Sequence, residues 1–170
     1  MIALDASVLI AHLNPADAHH LDATGLLLSA QLGSLLVHSM TLAEVLVGGA
    51  RIGRGAQMQA DLLATGIQIA QHDRDEPLRL AELRARTGLK LPDCCVLETA
   101  ISNNAAVATF DQALATAAVR RGIAVRGLDH LPGPRSTCHL SVVSAPMRLA
   151  GGSVGGRHLD GSRRPNRPVG

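Results

Sequence analysis

The chain repeats one pattern from its start to about residue 125: a short apolar run, then a longer stretch with helical spacing. Apolar runs fall at 2–4, 35–38, 67–70, 105–109 and 123–125. Runs of this length suit buried strands and are too short for buried helices. Between them, 21–31, 41–51, 55–64, 76–87, 92–103 and 112–121 read as helices, with Gly66, Gly88 and Gly122 closing three of them. Pro92 sits where a helix tolerates proline, in its first turn, while Gly48 and Gly49 weaken the helix that begins at Thr41. Strands alternating with helices predict an α/β domain, a three-layer sandwich whose central, mostly parallel sheet is flanked by helices.

The material of that sandwich is unusual. Hydrophobic residues make up 46% of the 170, yet there is one Phe and no Trp or Tyr. The core must be built from Ala, Leu, Val and Ile. Bases of single-stranded nucleic acid usually stack on aromatic rings, which are scarce here, so any nucleic acid must be held by its phosphates or over few nucleotides. The net charge of +2 is an average of two unlike parts. Residues 1–132 carry ten Lys and Arg against thirteen Asp and Glu, whereas 133–170 carry six Arg against Asp160 alone. A slightly acidic globular part is ill suited to non-specific duplex binding, but acids gathered in one place would hold a hard cation.

Beyond Leu131 the composition turns to Gly, Pro, Arg and Ser, so residues 1–132 are read as one domain and 133–170 as a disordered tail. Adjacent Cys94 and Cys95, with Cys138, offer no C-x-x-C spacing and no disulfide framework, which points to a reducing compartment. The opening Met-Ile-Ala-Leu-Asp has no signal-peptide character, and no apolar run could span a bilayer. A soluble, cytoplasmic protein without membrane association is expected.

Four carboxylates carry the functional reading. Asp5 directly follows the first apolar run, and Asp111 lies two residues past Thr109 at the end of the fourth. Ligands of parallel α/β sheets bind beyond the carboxyl ends of the strands, so both acids are expected at one edge. Asp93 follows Pro92 in the first turn of a helix, whose positive end favours an ionised carboxylate. Glu44 shares a helix face with Thr41 and Gly48, beside the apolar stripe of Leu42, Val45 and Leu46. Taken singly, each has an ordinary role open to it as a helix cap, a first-turn acid or a solvated surface residue. Their conjunction shifts the balance towards a site. Four acids with no His or Cys clustered among them select Mg²⁺ or Mn²⁺ over zinc.

The stretches "MIALDASVLIAHL", "SMTLAEVLVG", "LKLPDCCVLETA" and "AAVATFDQAL" resemble, in order, the motifs of PIN-domain proteins, and within that family the VapC-type toxins of bacterial toxin–antitoxin pairs. The resemblance covers roughly residues 1–130. It implies that Asp5, Glu44, Asp93 and Asp111 are the catalytic acids and metal ligands of a Mg²⁺- or Mn²⁺-dependent endoribonuclease, with Ser7, Thr41 and Thr109 as hydroxyls lining the site. It implies further that RNA is the substrate, that the chain is a homodimer, and that a cognate antitoxin blocks the site. Cys94 and Cys95 depart from the small residues such as Ala that more often follow the third acid in the family, and read as compact packing residues.

Other signals carry less. Gly151-Gly152-Ser153-Val154-Gly155 matches a nucleophile elbow formally, but no strand precedes it and no helix follows. His19 and His20 lack partners at ligand spacing and read as exposed residues at a helix start. Arg51, Arg54, Arg86 and Lys90 flank the acidic segments and serve equally well as phosphate contacts or solvated charges. A dehalogenase-like phosphatase would want an acid where Ser7 stands, and a receiver domain would want a lysine late in the chain, where none occurs. The rival of another class is a PIN-like module that binds RNA or protein without cutting.

Overall fold

A computed structural model of the chain describes residues 1–127. The expected tail at 133–170, the domain boundary at 132, Cys138 and the elbow-like glycines lie outside the described residues. Five strands, β1 (Ile2–Leu4), β2 (Leu35–Val37), β3 (Gln68–Ile69), β4 (Ala106–Ala108) and β5 (Val125–Arg126), form one sheet in the order β3-β2-β1-β4-β5. Every pairing is parallel, so the sheet is wholly rather than mostly parallel. Among the described residues seven helices flank it: α1 (Ala6–Leu13), α2 (His20–Ser29), α3 (Ser39–Arg51), α4 (Gly55–Ala64), α5 (Glu76–Thr87), α6 (Leu91–Ser102) and α7 (Gln112–Val119).

Alternation along the strands divides the core in two. Leu4 and Val37 pack with Val8, Leu9, Leu42, Val45 and Leu62 of α1, α3 and α4. Ala3 and Val107 point the other way, to Leu83, Val96, Leu97 and Leu114 of α5, α6 and α7. Both faces are therefore covered, and the layers are helix, sheet, helix. Cys94 and Cys95 belong to this filling, at 0% and 1% exposure.

One helix goes beyond the sequence expectation, and another, expected at 41–51, is found with its glycines in place. Helix α1 was not among those expected from spacing; Asp5 caps it, its side chain accepting from the Ala6 N–H at 2.8 Å. Eight residues, with Val8, Leu9 and Ala11 buried together, are too few to show helical periodicity clearly. Helix α3 runs unbroken through Gly48 and Gly49 to Arg51. The glycines serve packing instead: a Cβ on Gly49 would sit 2.8 Å from Met58 Sδ, and one on Gly55 would lie 3.3 Å from Ala50 Cα. Close approach of α3 and α4 thus offsets the modest helix penalty of glycine.

The sheet order places a topological switch at β1. The chain leaves β1 for β2 on one side and returns to β4 on the other, which opens a crevice at the carboxyl ends of β1 and β4. Both strands end in that crevice on polar residues, Asp5 and Thr109, aligned beyond the Leu4–Ala108 pair.

Candidate active site

Asp5 is held rather than free. Oδ1 accepts the Ala6 N–H, and Oδ2 accepts the Ser7 hydroxyl at 2.5 Å and the Thr109 hydroxyl at 2.8 Å. Only 8% of the residue is exposed. Both hydroxyls also accept: Ser7 Oγ from the Phe110 N–H at 3.0 Å, and Thr109 Oγ1 from the Asp111 N–H at 2.8 Å. The turn after β1 and the turn after β4 are thereby stitched together around one carboxylate. Asp111 caps α7, its Oδ1 accepting the Leu114 N–H at 2.9 Å. A cap of this kind fixes the rotamer and leaves the second oxygen available.

Asp93 reaches the same crevice from the first turn of α6. Burial pushes its carboxyl above the usual carboxylate range, and the charges of Asp111 and then Asp5 push it further. A backbone hydrogen bond at Lys90 and the Lys90 ammonium act in the opposite sense. Asp5, Asp93 and Asp111 thus lie close enough to act on one another, with Lys90 as the cation that acts on Asp93. Glu44 is exposed on α3. Ser7 and Thr109 do line the site. Thr41 is buried in α3 with a hydroxyl that finds no partner among the described residues. Of the flanking cations, Lys90 is the one whose charge is felt by Asp93; Arg86 pairs with Glu82 at 2.9 Å and Arg54 lines a groove on another face.

Two features escaped sequence reasoning. His19 stacks on Phe110 with ring centroids 4.3 Å apart, which places an imidazole beside the Thr109–Asp111 turn. No local pattern could have paired residues so distant in sequence. The second is a histidine cluster away from the four acids. His38, His72 and Glu76 are the one set of three His, Cys, Asp or Glu donors, among the described residues, drawn within 4.8 Å of one another. His72 and Glu76 share the connection from β3 to α5 and His38 follows β2, so only folding brings His38 to the other two.

A wholly parallel sheet with aspartates beyond β1 and β4, and a third at the start of a crossing helix, defines an α/β protein with an acidic crevice at its switch point. The chain belongs to the PIN domain family, whose model matches residues 2–120. Its fold is similar to that of the toxin VapC20 of Mycobacterium tuberculosis, which cleaves the sarcin–ricin loop (19% identity, TM-score 0.60, over 69% of this chain and 95% of that one). It is likewise similar to FitAcB of Neisseria gonorrhoeae (23% identity, TM-score 0.57, over 74% and 96%) and to a toxin–antitoxin complex of Klebsiella pneumoniae (24%, 0.53, over 65% and 85%). At these identities the similarity is one of fold. No curated protein is significantly similar to the chain. No helix among the described residues is long and apolar enough to cross a membrane.

Proposed function

We propose that this chain is a Mg²⁺- or Mn²⁺-dependent endoribonuclease, the toxin of a toxin–antitoxin pair, with residues 1–132 as its nuclease domain. The observation that carries the reading is the gathering of aspartates at the carboxyl ends of β1 and β4. Thr109 ties Asp5 to Asp111, and Asp93, pushed up by burial and by both, stands at the start of α6. Such crowding makes physical sense when a cation neutralises the group. The donor set fits a hard cation, being all oxygen, with Asp5, Asp93 and Asp111 as first candidates and Glu44 brought in from α3. A divalent cation bound there would lower the pKa of an attacking water and neutralise charge on the phosphate.

The chain's own residues do the rest. Ser7 and Thr109 hold Asp5 in one rotamer, and the α7 N-terminus holds Asp111. Lys90, beside Asp93, is placed to attract an RNA phosphate. His19 on Phe110 gives the rim of the site a small flat surface on which one base could rest.

An antitoxin would cover a groove of about 630 Å³ lined by Leu13, Gly49, Ile52, Met58 and Leu62 of α1, α3 and α4. An amphipathic helix suits such a groove, and an arginine beside it would pair with the site's carboxylates in place of metal. The reading also includes a homodimer, checked by sedimentation. The deciding experiment is cleavage of RNA by the pure chain with and without Mg²⁺ or Mn²⁺. Metal-dependent cleavage lost in Asp93→Asn supports the nuclease; RNA binding without cleavage under any metal supports the non-catalytic module instead.

A further inference from the structure

We propose that His38, His72 and Glu76 form a second cation site, separate from the aspartates and suited to a borderline transition metal such as Zn²⁺. Nothing in the nuclease reading uses these residues, and the inference stands without it. His38 follows β2 and caps α3, His72 follows β3, and Glu76 opens α5. Glu76 Oε1 lies 2.8 Å from His38 Nε2 and 2.7 Å from His72 Nδ1. The two imidazole rings are 4.2 Å apart, and all three donor atoms fall within 4.8 Å of one another. Ligand atoms around tetrahedral zinc lie about 3.3 Å from each other, so a small outward turn of Glu76 admits the ion.

The donor chemistry decides the metal. Two imidazoles and one carboxylate are the three-ligand set of open zinc sites, while Mg²⁺ prefers oxygen throughout. The side chains of His38, Glu76 and His72 are 7%, 12% and 21% exposed. The site is thus sheltered yet reachable from the His72 side, where a cleft of about 320 Å³ is lined by His72, Asp73, Arg79 and Glu98. Water entering there would complete a fourth position.

Binding has one structural consequence. His38 Nδ1 accepts the Met40 N–H at 2.9 Å, so in the metal-free protein its proton sits on Nε2 and is donated to Glu76. A metal at Nε2 needs that lone pair, and the proton must pass through solvent to Nδ1. The His38 ring then ceases to cap α3, and the Met40 N–H must find another acceptor. Occupancy of this site is therefore coupled to the first turn of the helix that carries Glu44.

The test uses the full chain and Co²⁺ as a visible probe, then Zn²⁺ in competition. The expected result is four-coordinate Co²⁺ absorption at one equivalent, displaced by Zn²⁺, with a shifted Met40 amide resonance. Both effects should persist in Asp93→Asn, and affinity should fall about tenfold or more in His72→Ala and in Glu76→Gln. Metal-free urea unfolding confirms that each variant folds; His72→Ala, at a loop position, serves if Glu76→Gln does not. Absence of the absorption in the wild type, its persistence at full affinity in His72→Ala, or its loss in Asp93→Asn would overturn the proposal.

Discussion

The Thr109 hydroxyl donates to Asp5 Oδ2 at 2.8 Å, a bond between residues 104 apart in sequence. Thr109 is completely buried, and the same hydroxyl accepts the Asp111 N–H. One side chain therefore sets the relative position of two of the proposed metal ligands. Thr109→Val keeps the shape and removes both bonds, leaving a buried carboxylate oxygen with one donor fewer. Stability should fall by about 1–3 kcal/mol, read from denaturant midpoints. Cleavage should fall with it, and Thr109→Ser, which keeps the hydroxyl, should restore most of both.

Asp93→Asn should abolish metal-dependent cleavage while leaving metal-free stability unchanged or raised. The sign follows from the direction of the shift. A carboxyl raised above its unfolded value contributes stability that is present at low pH and is lost as pH rises through the folded pKa. At neutral pH the ionised Asp93 is therefore unfavourable, and asparagine removes that burden. Thermal melts with and without Mg²⁺ check both halves: the variant should melt no lower than the wild type without metal and gain nothing from Mg²⁺. Full Mg²⁺-dependent cleavage by the variant would refute the site assignment.

The His38 imidazole should make the acid limb of stability steeper. Burial holds its pKa below the ordinary 6.5; the bond to Glu76 opposes this, His72 adds to it, and the charges of Glu76 and Glu98 act upward. A histidine lowered in the fold stays neutral there while the unfolded chain takes up a proton. Its contribution is complete above about 6.5 and declines as pH falls from there towards the folded pKa. His38→Asn keeps a side chain able to cap α3 and removes the titration. Urea midpoints between pH 7 and 5, without added metal, should fall less steeply in this variant than in the wild type.

Gly55→Val should separate partner binding from catalysis. Its Cβ would meet the Ala50 backbone and push α4 from α3, reshaping the groove proposed for the antitoxin. A loss of about 1–3 kcal/mol in stability is expected from overpacking. RNA cleavage below the melting transition should persist, while inhibition by the antitoxin weakens. Equal losses of cleavage and inhibition would show that the groove and the active site are not separable.

Cys94 and Cys95 should resist alkylation in the native protein. Burial pushes both thiols up, Cys95 to about 11, so little thiolate is present at neutral pH and reagents have no path to it. Mass spectrometry after iodoacetamide should find both unmodified in native samples and modified after denaturation. Labelling of Cys95 without unfolding would contradict the packing role.

Much of this protein was already legible in its residues. Short apolar runs separated by helical stretches determine a covered parallel sheet, because each strand must bury both faces and each helix one. The placement of Asp5 after β1 and of Asp111 after β4 follows from that pattern, since parallel strands bring their carboxyl ends to a common edge. Pro92 before Asp93 marks the start of α6 in the same local way. What needed the tertiary structure was every relation set by strand order and side-chain direction. The Thr109 bond to Asp5, the Phe110 bond to Ser7 and the stacking of His19 on Phe110 all depend on which strands become neighbours. The meeting of His38, His72 and Glu76 is the plainest case. Local spacing encodes which face of its own element a residue occupies, whereas distance between loops is decided only when β3 pairs with β2 and α5 packs against α6.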